Sequence, residues 1–262
     1  MHHHLDVYAY TNALRPLPPT QKVGFALGML TLALVGQPVT QGVIGLWMSR
    51  WILGAAGIPL AVYGSLVGGM VLFWLASLPA LVVEVAPMTS AVPTPGVAVG
   101  AWWVSLSGAG MTLALGIGLR GLATGVCLLF LLLTVPFAEL LQVLRGWRLP
   151  AILLDILLLM YRFIFLALEE LVQMQLAQRA RGGDRHWRRR MYSLGLLTSQ
   201  LVVRSLQRYQ GFRLGLAARG FAGSLRVESF ATYRRCRRYE WEVLVGVVAL
   251  LTGELYLRWV GV

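Results

Sequence analysis

The sequence predicts an all-α, polytopic membrane protein, and three observations carry that prediction. Of its 262 residues 57% are apolar and only 13% charged, far from the composition of a water-soluble domain. Apolar stretches of near-spanning length recur at about 23–35, 39–56, 60–85, 111–135, 151–168, 191–203 and 243–260. The basic residues are clustered: 18 of the 23 Lys and Arg fall between Arg145 and Arg238, leaving Arg15, Lys22, Arg50, Arg120 and Arg258 outside.

Residues 1–20 are polar and proline-containing, which suits a cytoplasmic N-terminal segment and not a cleavable signal, so insertion is expected to use an uncleaved first span. Residues 21–135 are expected to form a four-helix transmembrane bundle. Its first two apolar stretches are separated only by Gly36-Gln37-Pro38-Val39, a tight turn between hairpin helices. The loop at about 86–110 contains no Lys or Arg and is expected on the outer face.

The positive-inside rule selects five spans over seven. If 151–168 crossed the bilayer, Lys22, Arg50, Arg145 and Arg148 would face away from the arginine-dense stretch at 179–190. Keeping 136–238 as a cytoplasmic coupling module, followed by a last transmembrane helix in 239–262, puts Lys22, Arg50 and the arginine block on one side. Arg258 is the exception, near the outer end. In a membrane protein this basic block reads as a face bordering anionic lipid, not as a nucleic-acid site. Apolar helices that do not span must then pack on the bilayer surface, on one another or on another membrane protein.

Within the module, Thr134–Pro150 has proline near both ends of an amphipathic segment with Phe137, Leu140, Leu141 and Leu144 at helical spacing, which predicts an interfacial helix. A longer helix from Ala151 to about Arg181 carries Asp155, Arg162 and Glu169 at intervals of seven, a polar stripe on an apolar cylinder. Glu169 and Glu170 point about 100° apart and do not form a catalytic carboxylate pair. A further helix from about Met191 to Arg219 has Val202, Leu206, Tyr209, Phe212 and Leu216 on one face and Arg204, Arg208, Gly211, Gly215 and Arg219 on another. Gly211 and Gly215, four apart, would admit a closely crossing helix, or are incidental to an interfacial one.

Few residues offer other chemistry. Cys127 and Cys236 form no CxxC site, and neither a disulfide nor a zinc site is expected. His2, His3 and His4 could touch a metal ion, but three adjacent histidines on a chain end have no set geometry, so no metal site is assigned; His186 lies among arginines. Arg120, within the fourth span, is expected to pair with Glu254 in the last, or to snorkel outward, with Glu84 as the other candidate partner. A membrane enzyme acting on lipid phosphates is an alternative, but no HxxxD, CxxC, GxSxG or HExxH pattern supports it and Asp184 is a lone candidate. A polybasic scaffold and a conventional ABC permease are further alternatives.

The most specific feature is a repeated tripeptide: Ala180-Arg181-Gly182 returns thirty-eight positions later as Ala218-Arg219-Gly220. Each glycine falls where a helix C-cap needs positive φ, so each arginine occupies a last turn, where the helix dipole favours a cation. The result is a slim cationic helix end suited to an acidic groove on another protein, or a plain C-cap with a solvated arginine.

With these tripeptides, and with "LDVYAYTNALRPLPPTQK", "TVPFAELLQVLRGWRLP", "LLLMYRFIFLALEE" and "GLAARGFAG", the chain resembles the transmembrane coupling (T) component of energy-coupling factor (ECF) transporters, an ABC-type import system, and in particular its cobalt-import branch, often called CbiQ. The resemblance covers nearly the whole length; nickel and vitamin systems use similar couplers. It implies a bacterial inner-membrane, multi-pass subunit that binds no cofactor itself. Two cytoplasmic ATP-binding cassette ATPases carry ATP and Mg, with Arg181 engaging one and Arg219 the other. A separate substrate-binding membrane protein, CbiM-like and accompanied by a CbiN-like one, captures the ion. The sequence agrees on the absence of ATPase chemistry, since its only lysine, Lys22, follows Gln21 and no Walker A Gly-Lys exists.

Overall fold

The structure is a computed structural model and describes residues 3–87, 96–99, 102–182, 186–220, 233 and 237–260. In chain order the elements are α1 (His3–Thr11), α2 (Pro19–Val35), α3 (Pro38–Arg50) continued by a π-helical turn (Trp51–Ala55), α4 (Leu60–Val82), β1 (Val83–Pro87), β2 (Gly96–Val99), β3 (Trp102–Leu106), α5 (Gly108–Thr134), α6 (Phe137–Gly146), α7 (Ala151–Ala180), α8 (Trp187–Ala218) and α9 (Arg237–Val260). They group into two compact units, Met1–Leu140 with Phe230–Val262, and Leu141–Ser229. The fold is helical, as the hydropathy pattern predicts.

In the first unit α5 is the hub, packing against α1, α2, α3 and α4. The buried positions of its first half are small, Gly110, Ala114 and Gly118, so neighbours approach closely: a Cβ at Gly118 would lie 2.2 Å from Trp74 Nε1, and glycine there lets that indole N–H donate to the Ala114 carbonyl at 3.0 Å. Its second half is large and apolar. The Phe25 ring lies 5.4 Å from Trp51 and 5.6 Å, edge-on, from Phe130, with Met29, Ile44, Met48 and Ile52 buried in the same cluster. The expected α2–α3 hairpin forms, each helix opening on a proline in its first turn, where the missing N–H costs no helical bond.

Polar groups tie the unit together at both ends. Lys22 Nζ donates to the Thr134 carbonyl at 3.1 Å and Asn12 Nδ2 to the Leu133 carbonyl at 3.2 Å, satisfying acceptors that the last turn of α5 leaves open. Lys22 Nζ is also 3.9 Å from Glu139 Oε2. On the same end Gln21 Nε2 donates to Glu240 Oε1 at 2.6 Å, while at the far end Thr40 Oγ1 and the Gln37 N–H donate to Glu254 Oε2 at 2.6 and 3.2 Å. Helix α9 therefore runs parallel to α2.

These bonds correct the expected Arg120–Glu254 pair. Glu254 is buried and caps the start of α3, whereas Arg120 is exposed and has no side-chain partner among the described residues; Glu84 lies on β1. Matching the two by depth ignored direction around the helix: Arg120 is two positions past buried Gly118, about 200° from the packed face.

A three-stranded antiparallel sheet of order β1-β3-β2 stands between α4 and α5, with Val83 opposite Leu106 and Val97 opposite Val104. The sequence suggests a helix to Val85 and a loop to Gly110; instead α4 ends at Val82 and α5 begins at Gly108. Pro79 weakens the last turn of α4, and β-branched valines follow it. Residues 88–95, 100 and 101 of that loop lie outside the described residues. Among the described residues α4, α5 and α7 are long and apolar enough to cross a membrane, and α2 is apolar but shorter.

Candidate functional site

The second unit is dominated by α7 and α8, whose 30 and 32 residues make rods of about 45 and 48 Å. Helix α7 is strongly apolar yet buries only Leu154 and Met174. Ile152, Ile156, Met160, Ile164 and Val172 are exposed on it.

The two helices meet at a small mixed contact. Phe163 and Phe212 pack edge to face at 5.9 Å, and the Arg162 guanidinium lies over the Phe212 ring at 5.1 Å. The Glu170 carboxylate accepts from Arg208 at 2.6 Å through one oxygen and from Arg204 at 2.9 Å through the other. The hydrogen bond from Arg208, then that from Arg204, holds the Glu170 carboxyl below its ordinary range. Stepping back from Glu170 to Phe163 on α7 moves forward from Arg208 to Phe212 on α8, so the helices run antiparallel through the contact.

The expected crossing face lies elsewhere. A Cβ added at Gly211 or Gly215 would meet nothing within 4 Å, so α7 does not use those glycines. Arg204, Arg208 and Phe212, at steps of four, form the touching stripe, because an ion pair and a ring offer more contact than two glycines. Glu169, on the polar stripe, is exposed as a solvated edge would be, while its neighbour Glu170 makes the contact with α8. A retrospective signal exists in two arginines four apart with a carboxylate on the neighbouring rod.

Glu170 and Arg208 are 38 positions apart, the same separation as the two Ala-Arg-Gly copies. Arg181 thus lies as far beyond Glu170 as Arg219 lies beyond Arg208, about 16 Å of helical rise each. With antiparallel helices the two tips leave the contact in opposite senses.

The tips themselves are near copies. Arg181 has φ −89° and ψ 10°, Arg219 φ −91° and ψ 10°, and the glycines that follow have φ +71° (Gly182) and +68° (Gly220). Left-handed backbone of this kind is open to glycine at little steric cost and stops the helix. The Gly182 N–H donates to the Arg179 carbonyl at 3.0 Å and the Gly220 N–H to the Ala217 carbonyl at 3.1 Å. Ala180, Arg181, Ala218 and Arg219 are exposed, and neither arginine side chain has a partner among the described residues. Such an end can present a guanidinium fork to an acidic groove.

Other candidate residues do not gather. Among the described residues no group of three or more His, Cys, Asp or Glu is placed to hold a metal ion. His3 and His4 start α1, and His186 precedes α8; His2, Asp184 and Cys236 lie outside the described residues. Cys127 is buried and free in α5.

Known proteins share this architecture's sequence. The model of the cobalt transport protein family CbiQ matches residues 11–229, which include both tips. A cobalt transport protein CbiQ of Rhodobacter capsulatus is 33% identical over 226 residues, 86% of this chain and 87% of that protein. The Salmonella typhimurium cobalt transport protein CbiQ is 29% identical over 222 residues, 79% of this chain and 91% of its own. A putative fused cobalt transport protein CbiMQ of Methanocorpusculum labreanum is 30% identical over 127 residues, 48% of this chain and 21% of that one. Matched over most of its length, this chain belongs to the CbiQ cobalt transport protein family and is a membrane component of cobalt transport.

Proposed function

We propose that this chain is the coupling subunit of an energy-coupling factor importer, multi-pass in a bacterial inner membrane, that passes ATP-driven motion from two cytoplasmic ATPases to a membrane protein that captures cobalt ion. What carries the proposal is the pair of helix ends with matching backbone angles, each exposing an arginine whose side chain has no partner among the described residues. ATP and Mg belong to the ATPases, and the chain itself is non-catalytic.

Topology supports a cytoplasmic coupling module at 136–238. The end of α5 and the starts of α2 and α9 share one end of the first unit, through Lys22, Asn12, Gln21 and Glu240. The chain between α5 and α9 therefore crosses the membrane an even number of times. Helix α7 has the length and hydropathy of a span, but crossing there requires α8 to return, and α8 carries Arg204, Arg208 and Arg213 in its body. No crossing is the cheaper solution, and it leaves the bare apolar side of α7 for the bilayer surface and the ion-capturing protein. The fused CbiMQ relative supports a CbiM-like partner.

In this mechanism the ATPases bind one tip each, and their closure on ATP draws Arg181 and Arg219 together. Both helices then turn about the Glu170–Arg208 contact with equal lever arms, and the apolar face of α7 shifts the ion-capturing protein. Co-expression with neighbouring genes and affinity purification tests this directly. The chain should retain an ATPase and a small membrane protein, and Arg181→Glu with Arg219→Glu should remove the ATPase while leaving the membrane partner; undiminished ATPase in the double variant would refute the proposal.

A further inference from the structure

Arg120 stands at the middle of α5, on the side turned away from its own bundle. Its rise along the helix is about 18 Å from Gly108 and about 21 Å from Thr134. Neither end of α5 can sink far into lipid. Strand β3 ends at Leu106, just before the helix, and an open sheet is not tolerated in hydrocarbon; at the other end Lys22 and Asn12 bind the last carbonyls. The neighbouring span gives the same depth. Gly118 packs on Trp74 and Gly125 on Met70, so Arg120 is level with the middle of α4.

The Arg120 side chain is exposed and has no partner among the described residues. A cation in hydrocarbon is costly unless it is paired, and both ends of the span lie further off than an arginine side chain extends, so snorkelling does not relieve it. The chain has no carboxylate to offer. Of its 11 acidic residues, those within 136–238 belong to the proposed cytoplasmic module, and Asp6, Glu84, Glu240 and Glu242 lie outside the spans or at their ends. Glu254 comes to a similar depth but is buried and bonded to the start of α3. A second copy of this chain therefore cannot pair with Arg120, and a lipid headgroup does not reach it.

The surroundings of Arg120 suit a helix. Leu113, Ile117 and Leu128 are exposed within about 80° of it around α5. Beside them lies a groove of about 580 Å³ between α4 and α5, with Gly69, Phe73, Ile117 and Gly121 in its lining. A Cβ on Gly69 or Gly121 would meet nothing within 4 Å, so another backbone has room to come close. We infer that α4 and α5 receive a transmembrane helix of the ion-capturing membrane protein, and that this helix carries an Asp or Glu at mid-membrane depth whose carboxylate pairs with Arg120. The inference rests on the proposed coupling role and adds to α7 a second contact for that protein, on the first unit.

The test is co-purification of the full chain with the products of neighbouring genes in neutral detergent, comparing wild type with R120L, R120K and R120E. R120L should hold the membrane partner about tenfold more weakly and keep its ATPase, while R120K should keep most of the partner. The gap between wild type and R120L should persist across a NaCl series, because a pair shielded from water is little screened. R120L alone should melt no lower than wild type, since the Arg120 side chain makes no bond among the described residues. R120E should lose the partner, and changing one intramembrane Asp or Glu of the partner to Arg should restore it. Equal retention by R120L, a lower melting point, a gap that closes with salt, or the lack of any restoring change in the partner overturns the inference. Wild type that retains no membrane partner overturns the coupling role itself.

Discussion

The bundle and the α7–α8 pair bury themselves in opposite ways. In the bundle, Phe25, Trp51 and Phe130 interlock, and polar side chains cap open helix ends. In the pair, two rods of comparable length touch, among the described residues, through one carboxylate shared by two arginines, one aromatic pair and one cation–π contact, and leave apolar surface bare. A cohesive core resists deformation, while a single polar contact between long rods can pivot. Under the proposed coupling role the bundle would be the anchor and the pair the moving part, and substitutions can test that division.

The largest effect is expected in the anchor. Phe130, 1% exposed at the meeting of α2, α3 and α5, should cost about 3–5 kcal/mol on Phe130→Ala. Phe212→Ala in the pair should cost about 1 kcal/mol. Thermal melting in detergent compares them, and equal losses would erase the distinction.

An intermediate effect is expected at the tips. Gly182→Ala or Gly220→Ala forces a side chain into left-handed backbone, at about 1–2 kcal/mol of local strain. The bundle should melt unchanged while ATPase capture falls, and Gly182→Asn should be milder because Asn tolerates that conformation. A global loss of melting temperature would show that the tips are part of the folded core.

The smallest stability effect belongs to Glu170, whose carboxyl is held low by Arg208 and then Arg204. A depressed carboxyl contributes while pH stays above its unfolded value and loses that contribution as pH falls through the folded one. Protection of the α7 and α8 amides, taken relative to the intrinsic exchange rate at each pH, should therefore be unchanged from neutral to mildly acid pH and fall only below the ordinary carboxylate range. Glu170→Gln should show the reduced protection at neutral pH and no further loss in acid. Despite its small energy, Glu170→Arg should uncouple ATP hydrolysis from uptake, and Arg208→Glu added to it should restore coupling.

Much of this was legible in residue order. The hairpin at Gly36–Pro38 followed from proline and glycine chemistry, and the Ala-Arg-Gly tips from the demand of a C-cap for positive φ, because both are local matters within one turn of helix. The sheet after Val82 was missed because strands of four or five residues leave too short an alternation to separate from loop.

What remained for the tertiary structure was every choice of partner. Depth along a helix is written in residue order, but direction around it is decided only by packing; hence Glu254 caps α3 and leaves Arg120 exposed. Glu169 and Glu170 are one residue apart in the chain, and only the approach of α8 selected Glu170 as the carboxylate between two arginines. Local backbone preference determined where the helices end and what they present there, and contact between distant segments determined which side chains hold them together.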